Sequence, residues 1–330
     1  MRRPLPMRAV AFAYHNVGVR CLSALLAHGV ELPLVVTHRD APGENIWFDS
    51  VAALCRRAGI ECLCVEGTEH AELAARLRAL APDYLFSFYY RSMLPLPLLQ
   101  TASRGAFNMH GSLLPKYRGR VPVNWAVLHG ETETGATLHE MAVKPDAGAI
   151  VDQQAVPILP NDTALEVFGK VTVAAEIVLC RSLPALAAGT APKLPQDLSR
   201  GSYFGGRTPE DGRIDWSQDA WSIHNLVRAV APPYPGAFSF VGDRRLRILR
   251  TWWPASRAGA GSPARTPTPA GPLPEAPALF LDAGRICLRC ASGAMLQVLE
   301  MELDGAPVTA ENFSGRFGSL IVTPNQQPEK

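Results

Sequence analysis

Asn108 and His110 are the residues whose types and spacing best suit catalysis in this sequence. They lie at the end of the stretch Gly105–Met109 and just after it, and this stretch is typical of a short strand. Alternate residues of a strand face the same way, so the amide and the imidazole point to one side. Gly111 and Pro115 then begin a loop. Because sites collect in loops beyond strand ends, the pattern predicts a site here.

Each of these residues also has a simpler interpretation. A single histidine after an apolar run is more often a packed core residue than a catalyst, and an asparagine at a strand end is usually a turn former. Asp146, in the turn Pro145-Asp146-Ala147-Gly148, adds a third group and favours proton-transfer chemistry. A nucleophilic role for Ser112 remains an alternative, but no G-x-S-x-G pattern surrounds this serine.

Several motifs resemble those of the folate-dependent formyltransferases. The resemblance rests on Asn108-Met109-His110, on Ser112-Leu113-Leu114-Pro115 and on Asp146 downstream of both. Within that family the chain is most similar to the UDP-4-amino-4-deoxy-L-arabinose formyltransferases. The motifs that carry this finer similarity are Ala13-Tyr14-His15, residues 86–91, residues 116–120 and residues 130–135. The similarity extends from about Arg8 to about Gly242.

The resemblance implies a reaction and three catalytic residues. The formyl group of 10-formyltetrahydrofolate would pass to the 4-amine of UDP-4-amino-4-deoxy-L-arabinose, in lipid A modification and resistance to polymyxin and other cationic peptides. Asn108 would donate to the developing oxyanion, and His110 would take a proton from the amine and return it to the leaving nitrogen. Asp146 would orient the imidazole and raise its pKa. No metal is required.

The same resemblance implies the contacts of the folate. Ser92, Met93 and Leu94 would line a pterin pocket, although close relatives often carry histidine where this chain has Ser92. Arg120 would bind the folate carboxylates or a sugar diphosphate. The remaining predicted contacts lie in one loop: Ala142, Val143, Lys144, Pro145 and Asp146. Core packing of Met93 and Leu94, and a solvent-facing Arg120, remain the alternatives.

The acceptor is less tightly defined by the sequence than the chemistry. Another amino sugar nucleotide or initiator methionyl-tRNA is an alternative, and so is a non-catalytic module that binds folate or a nucleotide sugar. With 32 Lys and Arg against 30 Asp and Glu, the net charge is only +2. Such a balance produces no strong field for nucleic acid, so the sequence favours a small nucleotide-sugar acceptor.

The order of predicted elements indicates an α/β fold with a second, smaller domain. Strand and helix patterns alternate from the N-terminus, which predicts a Rossmann-like, mostly parallel sheet. No G-x-G-x-x-G motif follows the first strand, which argues against a dinucleotide site. The family resemblance implies an OB-like β-barrel as the second domain. The predicted divisions are a catalytic domain 1–189, a linker 190–212, an OB-like domain 213–320 with a Pro/Ala-rich insertion 254–277, and a tail 321–330.

The bounds of the predicted strands and helices follow from the apolar periodicity, from glycine and proline residues that end elements, and from helix-capping residues. Asp162 is the expected N-cap of the long helix. The predicted strands are 8–14, 32–37, 61–65, 83–89, 106–110, 137–142, 150–157, 237–241, 246–252, 279–282, 285–290 and 294–300. The predicted helices are 19–27, 50–58, 71–80, 121–129, 163–186 and 219–230.

The remaining expectations concern the compartment and partners. Seven cysteines inside apolar segments indicate reduced thiols and a cytoplasmic protein. The C-x-x-C pair at Cys287 and Cys290 is attributed to strand alternation. The basic segment 1–8 lacks the apolar region of a signal peptide, and no apolar run approaches the roughly 20 residues of a membrane span. Related aminoarabinose enzymes often carry a dehydrogenase half, so a separate dehydrogenase polypeptide is an expected partner.

Overall fold

A computed structural model of the chain describes residues 7–65, 70–254, 276–318 and 321–324. Most of the predicted insertion and most of the predicted tail therefore lie outside the described residues. The chain forms two compact units that interleave along the sequence. The first contains residues 1–122, 133–156 and 168–205, and the second contains residues 123–132, 157–167 and 206–330.

The first unit is built on a seven-stranded sheet. Its strands are β1 (Arg8–Ala13), β2 (Glu31–Thr37), β3 (Cys62–Cys64), β4 (Tyr84–Phe88), β5 (Gly105–His110), β7 (Glu133–Glu140) and β8 (Ile150–Pro157), with β6 (Arg118–Gly119) outside this sheet. The strand order is β3-β2-β1-β4-β5-β7-β8. Neighbours from β3 to β5 pair in parallel and β7 runs antiparallel to β5. The predicted mostly parallel α/β sheet is confirmed.

The helices of the chain up to α6 follow the predicted alternation, with small shifts in their ends. They are α1 (His15–Ala27), α2 (Val51–Ala58), α3 (His70–Leu80), α4 (Leu96–Leu99), α5 (Pro122–Leu128) and α6 (Ala164–Ala188). Helix α1 begins four residues before its predicted start, and the short α4 was not predicted. Strand β7 also begins earlier than predicted, at Glu133. Gly135 fits inside this strand because a Cβ there would lie 2.2 Å from the carbonyl oxygen of Gln154.

The expected N-cap of α6 is wrong. Asp162 does not cap the helix; Thr163 and Glu166 form the reciprocal bonds of a capping box, with Thr163 N–H donating to the Glu166 carboxylate at 2.7 Å. The helix is also long and apolar enough, by length and composition, to cross a membrane: an 18-residue window has a mean hydropathy of 1.6. Of that window 44% is buried inside the protein. This single helix is weak evidence for a span, because core helices pass the same test.

The second unit contains an antiparallel sheet, and the prediction of a β-rich second domain is confirmed. Its strands are β10 (Ala237–Val241), β11 (Arg244–Trp252), β12 (Ala278–Asp282), β13 (Arg285–Arg289), β14 (Met295–Leu303), β15 (Ala306–Pro307) and β16 (Ile321–Val322). The order is β10-β11-β14-β13-β12-β16, with β15 on β14. Helices α7 (Ala220–Ala229) and α8 (Phe313–Phe317) complete the unit, and β9 (Tyr203–Phe204) precedes it in the chain.

Two segments that the sequence assigned to the first domain, residues 123–132 and 157–167, cluster with the second unit. Side chains of α7 and its neighbours explain this. His224 bonds the carbonyl oxygen of Pro160 at 2.9 Å, and the Asn124 amide donates to the carbonyl oxygen of Ala229 at 2.8 Å. Long-range polar contacts of this kind leave no signature in the local pattern, so a boundary drawn from the sequence misses them.

Candidate active site

The candidate site lies where β5 ends, at the carboxyl edge of the parallel strands. In the sheet register Asn108 is opposite Ser87 of β4 and His139 of β7, and His110 is opposite Thr137 of β7. Residues opposite one another in a sheet share a face. The strand pairing therefore brings an amide and two imidazoles to the same side of the sheet.

His110 is buried, and each of its ring nitrogens has a distinct neighbour. Nε2 lies 2.8 Å from the carbonyl oxygen of Tyr117, which can only accept, so Nε2 carries the hydrogen. Nδ1 faces Asp146 Oδ1 at 3.5 Å. Burial lowers the pKa of His110, although Asp146 acts in the opposite direction. Asp146 thus acts on the pKa of His110 in the expected direction, but the net pKa is lowered, because desolvation of the imidazolium outweighs the nearby carboxylate.

Asp146 holds the centre of the cluster. Its backbone is left-handed, with φ of 50°, and its Oδ2 accepts the Gly119 N–H at 2.9 Å. Burial acts to raise the pKa of Asp146, but the neighbouring His110 and the Gly119 N–H that donates to its carboxylate lower the pKa below its usual value. The carboxylate is therefore ionised and lies beside the nitrogen of His110 that can gain a proton.

His139 is the functional candidate that sequence reasoning missed. Its Nδ1 lies 2.8 Å from the carbonyl oxygen of Glu140, so the neutral ring keeps Nε2 as an acceptor. Nε2 lies 3.2 Å from Asn108 Nδ2 and 3.5 Å from Asp146 Oδ1, and the Asn108 amide is also 3.4 Å from Asp146 Oδ1. The ring thus orients the Asn108 amide. The sequence offered one signal for His139: it lies in the predicted strand 137–142, two residues after Thr137, and so shares a strand face with that residue.

The segment 92–94 and the chain just before the predicted loop 142–146 border the same apolar cluster. Leu94 is buried in this cluster and Met141, just before the predicted loop, packs against it. Next to these anchors, Met93 is 59% exposed and Val143 is 77% exposed. The other predicted contacts are mostly accessible: Ser92, Ala142 and Lys144 are exposed, and Pro145 is half-buried. Two large apolar side chains facing solvent suit a flat aromatic ligand.

Arg120 and Ser112 have different positions. Arg120 is exposed, while its backbone N–H donates to the carbonyl oxygen of Phe204 at 2.9 Å. Ser112 is fully buried, and its hydroxyl donates to the carbonyl oxygen of Lys116 at 2.6 Å. Because His110 Nε2 is directed at Tyr117, no base activates this serine, and the acyl-enzyme alternative has no geometric support.

A second polar cluster lies beyond the ends of β1, β2 and β4. Tyr14 donates to Asp40 at 2.6 Å, and Arg91 pairs with Glu44 and lies over the Tyr14 ring at 4.5 Å. Nearby, His15 stacks on a phenylalanine ring at 4.0 Å, and burial lowers its pKa to about 4. Among the described residues, no group of three or more His, Cys, Asp or Glu side chains could hold a metal ion.

Two family models match the chain. The model described as formyl transferase matches residues 25–183, and the model described as formyl transferase, C-terminal domain, matches residues 207–317. Together they cover most of the chain, including the candidate site and all strands of the antiparallel sheet except β16.

Solved structures show the same fold at low sequence identity. An N-formyltransferase from Helicobacter canadensis, in complex with folinic acid and dTDP-3-aminofucose, is 20% identical; the match covers 88% of this chain and 98% of that one, with a TM-score of 0.68. WlaRD, a sugar 3N-formyl transferase solved in the presence of dTDP and 5-N-formyl-THF, is 18% identical over 90% and 98%, with a TM-score of 0.65. A 4-N formyltransferase from Francisella tularensis is 17% identical over 70% and 91%, with a TM-score of 0.58. On its sequence motifs and on both family models, this chain belongs to the formyl transferase family.

Proposed function

We propose that the protein transfers the formyl group of 10-formyltetrahydrofolate to an amine of a nucleotide-linked sugar. The observation that carries this proposal is the cluster of His110, Asn108 and ionised Asp146 at the strand end of a formyl transferase fold. Structural relatives solved with folinic acid or 5-N-formyl-THF and with dTDP or a dTDP-amino sugar support it further.

The residues of the cluster divide the chemistry among them. When bound, the folate supplies the formyl group on its N10. His110 Nδ1 accepts a proton from the attacking amine and gives it to the departing nitrogen. Asp146 stabilises the charged ring during that interval, and the Asn108 amide, oriented by His139, donates to the formyl oxygen as negative charge develops there. The N–C bond formed to the sugar amine replaces the N–C bond broken at the donor, and the proton count balances.

Met93, Leu94 and the loop from Ala142 to Asp146 would hold the pterin. The exposed apolar side chains of Met93, which precedes the buried Leu94, and of Val143 are the features that fit a flat ring system. Arg120, exposed directly after β6, would bind a carboxylate or a diphosphate.

For the acceptor we favour UDP-4-amino-4-deoxy-L-arabinose, on the motifs around Tyr14, Arg91 and Arg120. An amino sugar on another nucleotide is the second candidate, because two structural relatives were solved with dTDP or a dTDP-amino sugar. In the first case the product would serve lipid A modification.

A competition assay tests the acceptor. The purified chain would receive 10-formyltetrahydrofolate together with UDP-4-amino-4-deoxy-L-arabinose, a dTDP-amino sugar and initiator methionyl-tRNA, and each product would be quantified by mass. We expect the UDP sugar to react fastest. If the dTDP-amino sugar reacts faster, it and not the UDP sugar is the acceptor. Reaction of the tRNA alone would contradict the nucleotide-sugar proposal.

A further inference from the structure

The segment from Leu194 to Phe204, which we call the strap, follows α6 and returns to the edge of the sheet where Asp146 lies. Leu194 begins it by exchanging backbone hydrogen bonds with Ile150 at 2.8 and 2.9 Å. Two residues later, the Gln196 amide donates to the carbonyl oxygen of Asp146 at 3.0 Å and to that of Gly148 at 2.6 Å. The strap therefore binds the turn that carries the carboxylate.

That turn needs external support. Asp146 has a φ of 50°, which costs a non-glycine residue free energy. At Gly148 an added Cβ would lie 2.0 Å from the carbonyl oxygen of Glu140, so the chain passes close against the end of β7. Gln196 uses both of its amide hydrogens on this turn, while its Oε1 is buried with no partner among the described residues. Rotating the amide would place that oxygen against two carbonyl oxygens, so the donors fix its orientation.

The C-terminal end of the strap contacts residues 117–119, whose backbone bonds His110 and Asp146. Strand β9 pairs in parallel with β6, and Ser202 Oγ accepts the Tyr117 N–H at 2.8 Å. The Tyr117 and Phe204 rings stack at 5.4 Å. Tyr117 supplies the carbonyl that bonds His110 Nε2, and Gly119 of β6 supplies the N–H that bonds Asp146 Oδ2. One segment thus contacts the backbone that positions both His110 and Asp146.

We infer that the strap is a positioning element of the active site, and that Gln196 is its principal residue for placing Asp146 against His110. The inference rests on the proposed catalytic roles of these two residues. Neither family motifs nor local pattern assign Gln196 a role; its position depends on a contact made fifty residues away in sequence from Asp146.

Gln196→Met tests this, because it keeps the length of the side chain and removes both donors without adding charge. We expect kcat to fall about tenfold with KM within about threefold, since small displacements of a catalytic group are costly to rate. The pKa of His110, measured by NMR, should also fall, because a loosened Asp146 supports the imidazolium less. Gln154→Met is the matched control, since among the described contacts the Gln154 side chain bonds the Ala155 carbonyl and an Arg181 N–H and makes none to the turn that carries Asp146.

A lowered melting temperature with unchanged kcat and unchanged His110 pKa would show that Gln196 is merely structural, and would overturn the inference. If Gln196→Met does not fold, Ser202→Ala provides the second test; removing its acceptor from Tyr117 should lower kcat about threefold. Wild-type kcat in Ser202→Ala would then overturn the inference. His110→Ala is assayed in parallel: if it stays fully active, the proposed catalytic role fails, whereas an inactive His110→Ala with a fully active Gln196→Met overturns only the strap.

Discussion

Two buried histidines, one in each compact unit, share one contact and differ in the other. His110 in the first unit and His224 in the second each direct Nε2 at a backbone carbonyl oxygen, at 2.8 and 2.9 Å. The remaining nitrogen of His224 meets the Thr251 hydroxyl at 2.7 Å, whereas that of His110 faces the Asp146 carboxylate at 3.5 Å. Burial lowers the pKa of both rings.

The difference separates a structural imidazole from one suited to proton transfer. The Thr251 hydroxyl satisfies His224 Nδ1 but carries no charge to stabilise an imidazolium, and Arg228 nearby opposes that charge. Asp146 instead stabilises the imidazolium of His110. Burial of a histidine therefore does not define its role; the group facing the nitrogen that can gain a proton does.

The largest effect should come from His110→Ala. Removing the imidazole whose Nδ1 faces Asp146 should lower kcat about 1,000-fold, the range expected for loss of a general base. Folate affinity should change less than about tenfold, because the ring moves a proton rather than binding the donor. Steady-state kinetics and a folate-binding titration measure both, and a kcat within tenfold of wild type would contradict the assignment.

Asp146→Asn should reduce kcat about 100-fold. The amide keeps the approximate shape of the side chain but carries no charge to stabilise the imidazolium, so most of the loss should appear in kcat rather than KM. Circular dichroism checks that the turn still folds. A loss confined to KM would mean that Asp146 binds substrate instead of assisting His110.

His139→Gln should have a smaller effect, about tenfold on kcat. The ring orients the Asn108 amide without reaching the proton that moves, so its loss disorders a donor but leaves the base in place. A double variant with Asn108→Ala provides the control. If His139 acts through Asn108, adding His139→Gln to Asn108→Ala should cost almost nothing further; full additivity would contradict this pathway.

His224→Gln should leave kcat within about twofold and act on stability instead. The folded-state pKa of about 4 lies below the ordinary 6.5, so the unfolded chain binds more protons between these values. Wild-type stability from His224 is thus fully present above about pH 6.5 and is lost as pH falls towards 4. The variant should show a shallower decrease in the free energy of unfolding over this range, measured by denaturant titration. An equal slope in both proteins would contradict the assignment of His224 as a neutral core residue.

The sequence predicted the features that depend on the alternation of residues along one strand. It missed the features that depend on which strands or segments, distant in sequence, pair with each other. The alternation that places Asn108 beside His110 follows from the strand, and the structure confirms that strand. His139 reaches the same face only through the antiparallel register of β7 on β5, and Gln196 only through the return of the chain after α6. The direction of the pKa shift of His110 could not be predicted from the sequence either, because it depends on how deeply the folded protein buries the ring.

The most direct test is the protonation of His110 itself. Long-range proton–nitrogen NMR of histidine-labelled protein, assigned with His110→Ala and His224→Gln, reports the tautomer and pKa of each ring. We predict that both rings are neutral and protonated at Nε2 at pH 7, and that Asp146→Asn lowers the pKa of His110 and leaves that of His224 unchanged. A His110 ring protonated at Nδ1, or a His110 pKa unaffected by Asp146→Asn, would contradict the claim that the carboxylate prepares this imidazole for proton transfer.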